Sequence, residues 1–164
     1  MIRYVQLAAL FAAIMSVQTA CVSGGGSAGG GAGGVQNFSD VSGKNWKLME
    51  VRAGKDVIFT RSMLTQETPK DVFTLRFDSE RVSGAGCPNR YFAPYTLAEK
   101  QAINIEPIAG TLMIALFEPE QLKEREFFAY LEKAYQWNLV KGNLELRSAN
   151  NENAMVFLVF SLAD

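Results

Sequence analysis

From about Asn45 onward, apolar and polar residues mostly alternate with a period of two, the pattern of half-buried β-strands. Phe73, Leu75 and Phe77 interleave with Thr74, Arg76 and Asp78, and Ile103 and Ile105 flank Asn104. Tyr135, Trp137 and Leu139 interleave with Gln136 and Asn138, and Leu144 and Leu146 flank Glu145. Between these last two runs, Lys141-Gly142 predicts a tight hairpin turn. Two runs, Leu112 to Phe117 and Met155 to Phe160, are apolar on both faces and predict central strands covered on each side. One segment switches to helical spacing. Pro119 suits a first helical turn, and from there to about Ala134 the residues Phe127, Phe128, Tyr130, Leu131 and Ala134 form one stripe. Lys123, Arg125, Glu126, Glu132 and Lys133 fall mostly outside it. The expected fold class is therefore α+β: a mainly antiparallel β-sheet with one packed α-helix.

The first 44 residues follow neither period. Residues 1–20 read as an export signal, with Arg3 in a short positive region, an apolar run from Leu7 to Met15, and small residues before Cys21. That run is about half the roughly 20 residues needed to span a bilayer, so cleavage is expected rather than a permanent span. The segment Val17-Gln18-Thr19-Ala20-Cys21 resembles a lipobox, which makes Cys21 the expected lipidation site. Gln18 stands where an aliphatic residue is usual, and ordinary signal cleavage is the alternative. Residues 22–34 hold 8 of the 14 glycines and cannot bury enough surface to order themselves. Residues 21–44 are read as a lipidated cysteine and a flexible tether, and residues 45–162 as the folded domain. As a random coil the glycine segment would span about 20 Å, enough to lift a domain clear of lipid headgroups.

Composition narrows the chemistry. The 164 residues are 48% apolar and 20% charged, enough for one core. The formal charge is -1, and losing Arg3 with the signal leaves 15 basic against 17 acidic residues, so no nucleic-acid partner is expected. Histidine is absent, which removes the commonest general base and metal ligand. No catalytic residue, metal site or cofactor is expected.

Several landmarks also have a family likeness. Trp46 and Leu48 match an opening W-x-L strand, and Phe77 with Val82 and Gly84 fits the strand pair that follows. The stretch Gly86-Cys87-Pro88-Asn89-Arg90-Tyr91-Phe92-Ala93-Pro94-Tyr95 looks like a G-C-N-R-x-x-G-x-Y signature. Thr111 to Ala115 is similar to a T-x-M-x-C strand, and Glu126 to Leu131 to an E-x-x-F/Y-x-x-L helix. In this order, over about residues 45 to 160, they resemble the META domain, also called the HslJ-like domain. The resemblance implies an envelope lipoprotein linked to stress tolerance or virulence, with no shared catalytic activity. Three departures stand out: Pro88 is an extra residue, Ala93 replaces a glycine, and Ala115 replaces a second cysteine. A disulfide between the two cysteine places of the signature is therefore excluded.

Each reactive group has a plain alternative. Cys87 with Arg90 three residues on could form an activated thiol, but an inert buried cysteine is the stronger reading without a histidine base. Glu118, Glu120, Glu124 and Glu126 could divide acid and base roles, yet acidic residues around a helix start are stabilised by its dipole and read as a solvated face. Asn89, Arg90 and Tyr91 are the expected binding residues, while Phe92 and Tyr95 are expected to fold inward. The expected function is a non-enzymatic lipoprotein of the cell envelope, held by its lipid, with the outer membrane favoured because Val22 is not aspartate. Its domain is expected to be a monomer that binds an envelope protein or envelope component. A tethered enzyme and a purely structural stress protein are the alternatives.

Overall fold

The structure, a computed structural model, describes residues 36–163. The signal segment, Cys21 and the tether up to residue 35 lie outside them. Ten strands form: β1 (Trp46–Ala53), β2 (Asp56–Thr60), β3 (Thr74–Phe77), β4 (Arg81–Ala85), β5 (Arg90–Ala98), β6 (Ala102–Ile105), β7 (Ala109–Gly110), β8 (Gln136–Val140), β9 (Asn143–Ala149) and β10 (Met155–Leu162). The helix α1 is Glu124–Glu132. Every pairing is antiparallel. The order β10-β9-β8-β6-β5-β4-β3-β1 closes on itself through β1–β10, giving an eight-stranded barrel; β2 adds to β1 and β7 to β5 outside the ring. Closure leaves the ring no free edge, and a barrel of this size is just wide enough for side chains to fill.

The period-two pattern supplies that filling. Trp46, Leu48 and Val51 of β1, Leu75 and Phe77 of β3, Ile103 and Ile105 of β6, Leu144 and Leu146 of β9, and Val156, Leu158 and Phe160 of β10 are all buried. The Lys141-Gly142 turn joins β8 to β9 with φ of 53° and 83°, as a two-residue hairpin whose twist matches its strands requires. Each end of the barrel is stoppered. At one end Phe38, in a short 3-10 turn, lies 5.2 Å from Phe77, 5.7 Å from Tyr95 and 5.1 Å from Trp137 between ring centres. At the other, α1 lays Phe127 5.1 Å from Phe73 and 6.0 Å from Tyr91. Burying side chains such as Phe127 and Leu131 contributes about 1.5–3 kcal/mol each.

Several expectations need correcting. The packed unit begins before Asn45: Val41 is fully buried and accepts a 2.9 Å bond from the Trp46 indole, and the amide group of Gln36 bonds both ways to the backbone of Leu139. The helix starts at Glu124 rather than Pro119, because Glu118 and Glu126 carboxylates take the backbone N–H groups of Glu124 and Lys123 and set its first turn there. Phe92 is half-exposed on the barrel's outside under the Arg81 guanidinium, since it alternates with the inward Tyr91 and Ala93. The run Met155 to Phe160 is central, between β9 and β1, but Phe157 points outward, 5.6 Å from Arg52 and 5.8 Å from Arg147. The largest departure is Leu112 to Phe117, which is no strand at all and stands in solvent.

Candidate functional site

Beyond β7 the chain pairs with no strand until β8, and what holds its first residues is the signature loop between β4 and β5. Gly86 to Asn89 turn tightly, the Gly86 N–H donating to the Asn89 carbonyl at 2.6 Å, with a cis Cys87–Pro88 bond between them. The turn aims two backbone N–H groups the same way, and Glu124 Oε1 accepts both, from Cys87 at 2.6 Å and Asn89 at 2.7 Å. Glu124 Oε2 accepts from Asn89 Nδ2 at 2.7 Å. A side chain at Gly86 would run into Glu124 and Phe128, so glycine lets the helix come this close.

Asn89 uses its other end as well. Its Oδ1 accepts from Thr111 Oγ1 and from the Met113 backbone N–H, both at 2.7 Å, and the Thr111 N–H bonds to the Arg90 carbonyl at 3.0 Å. One buried amide thus ties three pieces: the turn, the first turn of α1, and the start of the apolar run. Such a polar group is stable inside because each of its partners is satisfied.

Of the three expected binding residues, then, two are internal. Asn89 is 7% and Tyr91 3% exposed, and the Tyr91 hydroxyl donates to the Thr74 carbonyl at 2.8 Å. Burial lifts the Tyr91 phenol well above its ordinary pKa. Arg90 alone of the three reaches solvent, because strand alternation turns it outward next to the inward Tyr91. They do not share one exposed patch. Cys87 is buried, its Sγ 3.6 Å from the Phe117 carbonyl. Burial, with the carboxylates of Glu124 and Glu118 beside it, pushes the thiol's pKa up, the wrong direction for a nucleophile.

Glu124 departs from the solvated face that its place at a helix start predicts, because its carboxylate accepts three hydrogen bonds from the signature turn. Its bonds reach back 35 and 37 residues along the chain, and no spacing rule marks such a contact. The one local sign was the Gly86-Cys87-Pro88-Asn89 turn, whose N–H groups need an acceptor. Among the described residues no three His, Cys, Asp or Glu side chains gather closely enough to hold a metal ion. None of their helices is long and apolar enough to cross a membrane.

What this end of the barrel presents outward is apolar. Leu112 is fully exposed, Ile114 90% and Leu116 89%, with Met113 and Phe117 more than half exposed. Beside the run, a groove of about 640 Å³ opens between α1 and β7, lined in part by Thr111, Leu112, Arg125 and Phe128.

The META domain family model matches residues 39–159. Among solved structures, the barrel is similar to a protein from Burkholderia xenovorans determined by NMR, with TM-score 0.56 and 16% identity, covering 87% of this chain and 99% of that one. It is also similar to a DUF4847 family protein from Bacteroides vulgatus, with TM-score 0.52 and 12% identity, covering 76% of this chain and 95% of that one. At these identities the likeness is one of fold. No curated protein sequence matches the chain.

Proposed function

The chain belongs to the META domain family, and on that footing we propose that it is a lipid-anchored protein of the cell envelope whose barrel works by binding. The observation that carries the reading is the apolar run Leu112 to Phe117, exposed and yet fixed at its start by Asn89. Soluble domains seldom keep contiguous large apolar groups in water, and where they do the patch marks a contact surface. Arg90 flanks it, and arginine beside apolar groups is a common hot-spot composition. Asn89 and Tyr91 serve the surface from inside, by holding the loop that presents it.

The same site argues against catalysis as its purpose. The groups that could react are already engaged: the Cys87 thiol is buried among carboxylates, and the Glu124 carboxylate accepts three hydrogen bonds. The partner is an envelope protein or envelope component, and the outer membrane is the favoured location. Eight of the 14 glycines follow Cys21 within residues 22–34, the composition of a spacer between an anchor and a domain. A role in stress tolerance fits the family.

Anchoring and binding are tested separately. Membrane-extracted protein should carry acyl mass on Cys21, and Cys21→Ser should release the domain to the aqueous phase or block its processing. A water-soluble mature chain without acyl mass would refute the anchor. For binding, Arg90→Ala and Leu112→Ser should each reduce partner retention from envelope extract while leaving the melting temperature unchanged. Undiminished retention by both would move the contact surface elsewhere.

A further inference from the structure

A second groove, of about 500 Å³, lies on the barrel wall where β1, β3, β4 and β5 run side by side. Small residues make its floor. β3 pairs with β1 through Lys47–Thr74 and Trp46–Leu75, and with β4 through Arg76–Ser83 and Phe77–Val82. Beyond those pairs side chains bridge the strands: Thr74 Oγ1 accepts from the Ala85 N–H at 3.1 Å, and the Tyr91 hydroxyl donates to the Thr74 carbonyl at 2.8 Å. A side chain at Gly84 would run into that carbonyl, so the floor between Thr74 and Ser83 stays low. Long cations stand around it. Lys47 of β1, Arg76 of β3 and Arg90 of β5 line the groove, against one carboxylate, Asp71. Arg76 is held by Asp78 at 3.0 Å, and the charge of Asp71 already acts on the neighbouring Arg61 guanidinium. That leaves Lys47 and Arg90. Among the described residues neither has an ion-pair partner, although Lys47 is half-buried, and lysines are mostly exposed unless paired.

We propose that this groove binds a phosphate monoester carried on a small polar group, with Lys47 and Arg90 closing on the phosphate from opposite rims and the Thr74 and Ser83 hydroxyls beneath it. A phosphate offers three strong acceptor oxygens and, near neutral pH, close to two negative charges, which matches two free cations that approach from different strands. A carboxylate, with one charge and two coplanar oxygens, would leave one cation unmet. Arginine adds a planar fork suited to phosphate oxygens, and lysine a mobile point charge. The groove falls within the roughly 300–1,000 Å³ of small-molecule sites, so there is room for the carrier as well. Lys47 does not line the groove beside Leu112, so its variant reads this site apart from the apolar run.

The experiment titrates the full chain with glycerol phosphate by calorimetry, with glycerol and glycerate as comparators. Glycerol phosphate should bind saturably, and glycerate about tenfold more weakly or not at all. Lys47→Gln and Arg90→Gln should each weaken binding about tenfold or more, as the loss of one charge-assisted bond requires, and Arg90→Lys should recover part of it. Lys141→Gln, exposed in the β8–β9 turn, removes the same charge elsewhere and should change nothing. An unchanged melt in each variant shows that the barrel is intact. Asp164 follows the lining residue Ala163 but lies outside the described residues, so Asp164→Asn is titrated too. The source of the phosphate is read in phosphatidylcholine vesicles with and without phosphatidic acid, by protection of Lys47 from an amine-acetylating reagent. Protection by phosphatidic acid without binding of glycerol phosphate, and lost in Arg90→Gln, assigns a lipid headgroup; binding of glycerol phosphate assigns a soluble ester. Neither signal, in the parent or in Asp164→Asn, overturns the site. So does a Lys141→Gln effect as large as that of Lys47→Gln, and equal binding of glycerate overturns the choice of phosphate.

Discussion

Glu124→Gln is the sharpest probe of how this barrel is held. The substitution keeps size and shape and replaces one carboxylate oxygen by NH2. Because Oε1 accepts two backbone N–H groups, the amide oxygen must stay there, and the new NH2 then faces Asn89 Nδ2, itself a donor. One hydrogen bond is lost outright and two become neutral. Bonds to a charged group contribute about 1.5–3 kcal/mol and neutral ones about 0.5–1.5. Glu124 is only half-buried, so the low end applies: about 1.5 kcal/mol for the lost bond and about 0.5 for each weakened one, or about 2.5 in all. For a domain of this length about 1 kcal/mol moves the midpoint by about 4 °C, so Tm should fall by about 10 °C. Circular dichroism melts near neutral pH, with urea titrations to show an unchanged m-value, measure it. Glu120→Gln, exposed and unbonded, should stay within about 0.5 kcal/mol of the parent. Because Asn89 also fixes Thr111 and Met113, the variant should be cut faster by protease between Leu112 and Phe117. A Glu124→Gln midpoint within about 2 °C of the parent, with no gain in cleavage, would refute the view that this contact fastens the helix to the barrel.

The remaining predictions use the same assays. Tyr91→Phe should cost about 1 kcal/mol for its bond to Thr74, and Tyr91→Ala about 3–5 kcal/mol, while Phe92→Ala, half-exposed, should cost far less. Burial raises the thiol of Cys87 above 9.0 and the phenols of Tyr91, Tyr95 and Tyr130 above 10.0, with Asp78 adding to the effect at Tyr95 and Glu126 at Tyr130. Each folded pKa then exceeds the unfolded one, so this contribution to stability is whole below about pH 9 and is lost as pH rises through the folded values. Tm should be level from about pH 7 to 9 and fall above about 10, with a smaller drop in Tyr91→Phe; a level profile to pH 11 would contradict it.

Much of the fold was legible because alternation reports directly which side chains face inward. Leu75, Phe77, Ile103, Ile105, Leu144 and Leu146 are all buried where the period puts them. Closure of the sheet into a barrel was not legible, since the β1–β10 pairing joins the two ends of the domain and no local pattern encodes it. The site was legible only as a signature. Its residues sit at the expected place in the order of strands, but alternation within β5 decides that Tyr91 turns in while Arg90 and Phe92 turn out. Reading all three of Asn89, Arg90 and Tyr91 as surface ignored that period. The role of Asn89 depends on Glu124, Thr111 and Met113, each more than 20 residues away.

The apolar run is the instructive failure, because its composition was read correctly and its surroundings were not. Leu112 to Phe117 has the pattern of a strand covered on both faces, and such a pattern records only that cover is favourable. It does not say which chain provides it. Within the described residues the wall of the barrel is complete without this segment, and α1 meets the chain before it through Glu132, which accepts the Ile108 N–H. The run is therefore left outside with its apolar side chains unmet, while Asn89 holds its beginning in place. A segment that had no use would gain by collapsing or becoming polar, since each large apolar group left in water forgoes about 1.5–3 kcal/mol of burial. Fixing it there through a buried asparagine, itself positioned by a glutamate from the helix, makes physical sense if something else supplies the missing cover. The signature loop and the exposed run are then one device: Asn89 and Glu124 carry the load inside, and Arg90 with the run from Leu112 makes the contact outside.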